Sequence, residues 1–131
     1  MKTFIITLSL LAVLVGFVFV NAHLVVRQIS ETATAVAALP LPEKPEDPAR
    51  ADLSGQGEQV RGIHQSWQEK LRYISLTVNH HDLMQVQDQF AALMGACEAG
   101  NYTDYILTLS MLQSGLSHLR EQSLCSLGNI F

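Results

Sequence analysis

The stretch ALMGACEAGNYTDYILTLSMLQ, Ala92–Gln113, fixes the architecture of the chain. Upstream of Gly100, the apolar positions Leu83, Val86, Phe90, Leu93 and Cys97 recur at three- and four-residue steps, the stripe of an amphipathic helix. Downstream, Tyr105, Leu109, Leu112, Leu116 and Leu119 repeat the pattern. Gly100 suits the left-handed residue that ends one helix, and Asn101 suits the cap that starts the next. Asp104 adds a negative charge to that first turn, where the helix dipole favours it. So short a connection forces the two helices antiparallel. Ala91, Gly95 and Ala99 form a ridge of small residues expected to permit close helix approach, and the second helix is expected to end near Glu121.

Working outward, Asn79-His80-His81-Asp82 breaks the periodicity before this hairpin. Asp82, with Gln85 three residues on, has the form of a capping box. From Glu58 a further stripe runs through Val60, Ile63, Trp67, Leu71, Ile74 and Val78. Before it, all four prolines fall between Pro40 and Pro48. Proline lacks a donor N–H and turns the preceding residue from helix, so a helix ends near Ala38. PLPEKPEDP reads either as a stiff acidic connector or as an ordinary loop between helices, and Asp47-Pro48 fits an N-cap with proline at the first helical position. No strand pattern competes.

At the amino end, Phe4–Val20 (FIITLSLLAVLVGFVFV) carries only Thr7 and Ser9 as polar side chains. Val20-Asn21-Ala22 has the form of a signal-peptidase site, but the apolar stretch is longer than a signal core of about 7–15 residues. Extended through Val26 it reaches the length of about 20 residues that spans a bilayer core. Lys2 and the terminal amine on one side, against Arg27 alone on the other, place the N-terminus in the cytoplasm and the rest outside. Anchoring in the cytoplasmic membrane through residues 4–26 is the preferred reading, secretion after cleavage at Ala22 the alternative. The expected class is all-α: an N-terminal transmembrane helix followed by an antiparallel helical hairpin array. Residues 1–27 form an uncleaved signal-anchor, 28–57 a helical extension and Pro-rich linker, and 58–131 an extracytoplasmic helical domain.

Trp67, His80-His81-Asp82, the helix–Gly-Asn–helix pair and the closing Ser126-Leu127-Gly128-Asn129-Ile130-Phe131 together resemble an uncharacterised family of short Firmicutes proteins, a domain of unknown function. That family has one N-terminal membrane span and an ending of the form Ser-Leu-x-Asn-Ile-Phe. The resemblance covers Trp67–Phe131 and, in kind, the N-terminal span. The proline-rich stretch and Gly55, Gly57 and Gly62 depart from it. It implies an uncleaved span and brings no activity.

The net charge of −4, with no run of Lys or Arg, argues against nucleic-acid binding. No Gly-x-Ser-x-Gly elbow, Ser-His-Asp spacing or lysine-terminated phosphate loop is present, so no enzyme and no cofactor are expected. Counting outward from the turn places His118 opposite His81, near Asp82, Glu121 and Cys125, a set that could bind zinc or copper. The plainer account makes Asp82 a cap and His118 a favourable charge in a last helical turn. Cys97 lies beside the turn and Cys125 about 30 Å away along the last helix, too far for a disulfide within the chain.

From Tyr105 to Leu119 there is no Asp, Glu, Lys or Arg. The polar face there consists of Thr108, Ser110, Gln113, Ser114 and Ser117, groups that suit a protein partner, a second copy or another membrane protein. The leading functional reading is a non-enzymatic interaction or structural module outside the membrane. The alternative is an exported metal- or ligand-binding protein using His81 and His118. The tail Asn129–Phe131 is expected to fold back near Trp67.

Overall fold

The computed structural model describes residues 1–39, 41–74 and 78–130, with backbone alone for residues 73 and 126–130. Four helices form: α1 (Lys2–Ala37), α2 (Ser54–Ile74), α3 (His80–Ala99) and α4 (Tyr102–Ile130), with no strand among the described residues. This is the all-α class expected, a long apolar N-terminal helix followed by further helices. Helix α1 packs on α2 and α4, and α3 packs on the same two, so the helices close a ring as an antiparallel four-helix bundle.

The closure comes from one repeated pattern. Helix α1 buries Val25, Ile29, Thr32 and Val36, and α4 buries Tyr105, Leu109, Leu112, Leu116 and Leu119. Helix α3 buries Leu83, Val86, Phe90, Leu93 and Cys97. Helix α2 adds Val60, Trp67 and Ile74, with Ile63 and Leu71 packed against them. Alternating steps of three and four residues give every helix a narrow apolar seam, the geometry of bundles with knobs-into-holes packing. Trp67 and Phe90 meet in the middle, their ring centroids 6.2 Å apart. Each such side chain taken from water contributes about 1.5–3 kcal/mol.

The helical extension after Arg27 is therefore the fourth member of the bundle, and it is continuous with the apolar segment before it. Residues 1–20 are all exposed, Val18 least so among the large apolar side chains at 38%, and half-burial begins at Asn21 and Ala22. By length and composition α1 can cross a membrane. At 36 residues it runs about 54 Å, more than a bilayer core of about 30 Å requires. The surplus is the half that enters the bundle.

Several local expectations shift. Helix α2 begins at Ser54, inside the segment assigned to the linker, with Asp52 Oδ1 accepting from the Ser54 N–H and hydroxyl at 3.2 and 2.8 Å. These bonds hold the Asp52 carboxyl below its usual range. Asp47-Pro48 opens a turn and no helix: the Asp47 carboxylate accepts from the Ala49 N–H, and its carbonyl from the Arg50 N–H. The cap of α3 is Asn79, whose side chain accepts from the His81 N–H at 2.9 Å, and Asp82 sits in the first turn. Helix α4 continues to Ile130, nine residues beyond Glu121, because no Pro or acidic run stops it.

The turn at Gly100 forms as read. Gly100 adopts φ 66°, its N–H donates to the Cys97 carbonyl, and the Asn101 side chain accepts from the Asp104 N–H. The connector lies across this turn as a strap. The Ala51 N–H donates to the Gly100 carbonyl at 2.6 Å and the Tyr102 N–H to the Pro48 carbonyl at 2.8 Å. Leu39 and Leu53, buried at either end of the connector, pin it to the core.

Candidate interaction surface

Helix α4 turns its seam inward and leaves a charge-poor outer face. Leu107 and Met111 are 57% and 48% exposed there, alongside exposed Ser110 and Ser114. Gln113 and Ser117 are exposed on the flank nearer α1. Thr108, expected on the same face, is half-buried on the other flank. Its hydroxyl donates to the Asp104 carbonyl at 2.6 Å, a bond back to its own helix that competes with any partner. Sequence reasoning selected the polar members of this face and missed Leu107 and Met111. The signal was available, because neither falls on the seam of Leu109, Leu112 and Leu116.

Ala91, Gly95 and Ala99 are exposed, so the small-residue ridge of α3 faces away from the bundle and does not seat another of its helices. A Cβ added at Gly95 would meet nothing within 4 Å. At Gly115 of α4, the Gln89 side chain from α3 occupies the space an added Cβ would need.

That contact sets the register of α3 against α4. It puts His118 level with about Val86, roughly a turn and a half along the bundle from His81. Both histidines are exposed. Among the described residues, no group of three or more His, Cys, Asp or Glu is placed to hold a metal ion. His64 lies elsewhere, against Phe90 with ring centroids 5.3 Å apart, and desolvation lowers its pKa.

The cysteines occupy opposite ends. Cys97 is buried under the strap, where desolvation, then the Glu98 charge, raise its thiol pKa; Cys125 is exposed near the end of α4. Tyr105 is buried nearby, and desolvation, then the Cys97 charge, raise its phenol pKa. Trp67 is fully buried. The contact expected between it and Asn129–Phe131 lies outside the described side chains.

Two of the open depressions on the surface lie beside the strap and between helices. One, of about 700 Å³ at the strap end, is bordered by Arg50, Asp52, Glu58, Arg61 and Glu98. The other, of about 490 Å³, lies between α1 and α2 beneath the Glu31–Lys70 ion pair at 3.5 Å. The first also borders Ser54, whose hydroxyl donates to Asp52 Oδ1, and Cys97, whose buried thiol has a raised pKa. Compared with models of known protein families, with curated proteins and with solved structures, the chain matches none.

Proposed function

We propose that the protein is a single-span membrane protein whose four-helix bundle stands outside the cytoplasmic membrane as a non-enzymatic interaction module. The observation that carries this reading is the outer face of α4, where Leu107 and Met111 lie exposed among hydroxyl side chains on a helix without Asp, Glu, Lys or Arg from Tyr105 to Leu119. A solvated face ordinarily carries charges. A face of apolar and hydroxyl groups instead suits a flat helical partner, either a second copy or another membrane protein. The Lys2 side of the span faces the cytoplasm. Kinship with the short Firmicutes proteins belongs to the same proposal and rests on the order of motifs from Trp67 onward.

The test exploits exposure. Leu107→Lys and Met111→Glu alter the face without touching the seam, so they should leave the helical circular dichroism unchanged while abolishing cross-linked species in intact membranes. Unchanged cross-linking in both variants removes the interaction reading. Leu112 and Leu116 are fully buried and unsuitable for this test, because charge there unfolds the bundle.

A further inference from the structure

At the end of the bundle nearest residues 1–20, α4 outruns its neighbours. The register can be carried around the ring from three contacts. Glu31 pairs with Lys70 across α1 and α2, Trp67 stacks near Phe90 across α2 and α3, and Gly115 sits against Gln89 across α3 and α4. Together they put Leu124 level with about Leu24 and the end of α4 level with about Phe19. The last turns of α4 thus lie beside about Phe19 to Leu24, where α1 passes from its exposed apolar half into the bundle.

Charge follows the same level. Arg27, Arg72, His81, Arg120 and Glu121 encircle the bundle at about the height of Arg27, with exposed His80 and His23 about a turn nearer the apolar end. Beyond that belt, Gln122–Phe131 carries no ionisable side chain except Cys125, and Leu124 is 46% exposed. The connection from Tyr73 to Asn79 also lacks Asp, Glu, Lys, Arg and His. A soluble bundle has no reason to end two adjacent segments without charge at the end where its apolar helix leaves.

We infer that the carboxy-terminal turns of α4, with Leu124 and Cys125 at their start, enter the headgroup and upper acyl region of the same bilayer that α1 spans, as a second membrane contact. This rests on the membrane-anchored reading. The depth fits: from the level of Leu24 to that of Phe19 is about 7–8 Å, within the 5–10 Å to which interfacial helices sink. A second contact fixes the bundle upright and sets which way the α4 face points within the plane of the membrane.

Cys125 supplies the probe, because it is exposed while Cys97 is buried. The full chain in phosphatidylcholine–phosphatidylglycerol nanodiscs is labelled at Cys125 with an environment-sensitive fluorophore. Two reference labels are placed at Gly16→Cys and Glu98→Cys, each in a Cys125→Ser background. The Cys125 label should be quenched several-fold more by lipids carrying a spin label near the headgroup than the Glu98→Cys label is, and several-fold less by aqueous iodide. If it matches the Glu98→Cys label while the Gly16→Cys label is quenched from within the bilayer, α1 spans and the second contact is refuted. A Gly16→Cys label open to iodide refutes the span itself, and with it the inference.

Discussion

Replacing Gly100 by Ala tests the strap and the turn together. At φ 66° an L side chain costs about 1–2 kcal/mol. The added Cβ would also come within 2.5 Å of the Ala51 carbonyl oxygen, which is backbone and cannot swing aside. The strap must then lift, stretching the Ala51–Gly100 and Tyr102–Pro48 hydrogen bonds, each worth about 0.5–1.5 kcal/mol. The expected loss is about 2–4 kcal/mol. Urea titration of the chain in mild detergent, followed by Trp67 fluorescence, measures it directly, since Trp67 is the only tryptophan and is fully buried. Gly100→Asn separates the two causes. Asparagine tolerates the left-handed region but still carries a Cβ, so it should recover only the conformational part. Full wild-type stability in Gly100→Asn would show that the strap does not press on the turn, and the reasoning fails.

Four other outcomes follow from the geometry. Native protein in detergent should titrate one thiol with an aromatic disulfide reagent at pH 8 and two after denaturation, because Cys97 is buried with a raised pKa and Cys125 is exposed. Leu112→Ala should cost about 2–5 kcal/mol in the same urea titration while the neighbouring Met111→Ala costs less than about 0.5 kcal/mol, since one is fully buried and the other half-exposed. Because desolvation lowers the His64 pKa, the unfolded chain takes up that proton first as pH falls. Stability should therefore decline as pH drops from the unfolded value near 6.5 to the lower folded value and then level off, a slope that thermal melts should find reduced in His64→Gln. A chain beginning at His23 should fold in detergent-free buffer with a midpoint in urea close to the full-length chain's, for the buried residues of α1 begin at Val25.

Helix type and pairing were legible wherever the sequence states a period and a stop together. Leu83 to Cys97, Gly100-Asn101 and Tyr105 to Leu119 specify two seams and the turn between them, and the structure follows them residue for residue. Boundaries set by competition were not legible. Asn79 and Asp82 are both good caps, and it is the Asn79 side chain that accepts from the His81 N–H while Asp82 lies in the first turn. The Asp47-Pro48 pair favours a helix start locally, but Pro48 and Ala51 find backbone partners on the turn at Gly100 instead, a contact distant in sequence. The same holds for the outer face of α4. Composition showed the lack of charge, whereas the exposure of Leu107 and the withdrawal of Thr108 depend on where α3 and α1 lie.

The role of α1 was obscured for a related reason. Val25, Ile29, Thr32 and Val36 make a seam with the same three- and four-residue steps as the other helices, but it starts inside an apolar run where an amphipathic pattern has no polar side to stand against. Only the structure separates the half that is apolar all round from the half that is apolar on one side. The division falls at Val20–Asn21, directly before the small residue that could be cut. Cleavage after Ala22 would leave every core residue of α1 in place, so the bundle needs neither the membrane segment nor the membrane to bury its seams. A bundle that holds together without that segment would gain position, not stability, from the anchoring proposed for it. That fits the interaction proposed for the exposed face of α4, which needs the bundle placed and not reinforced.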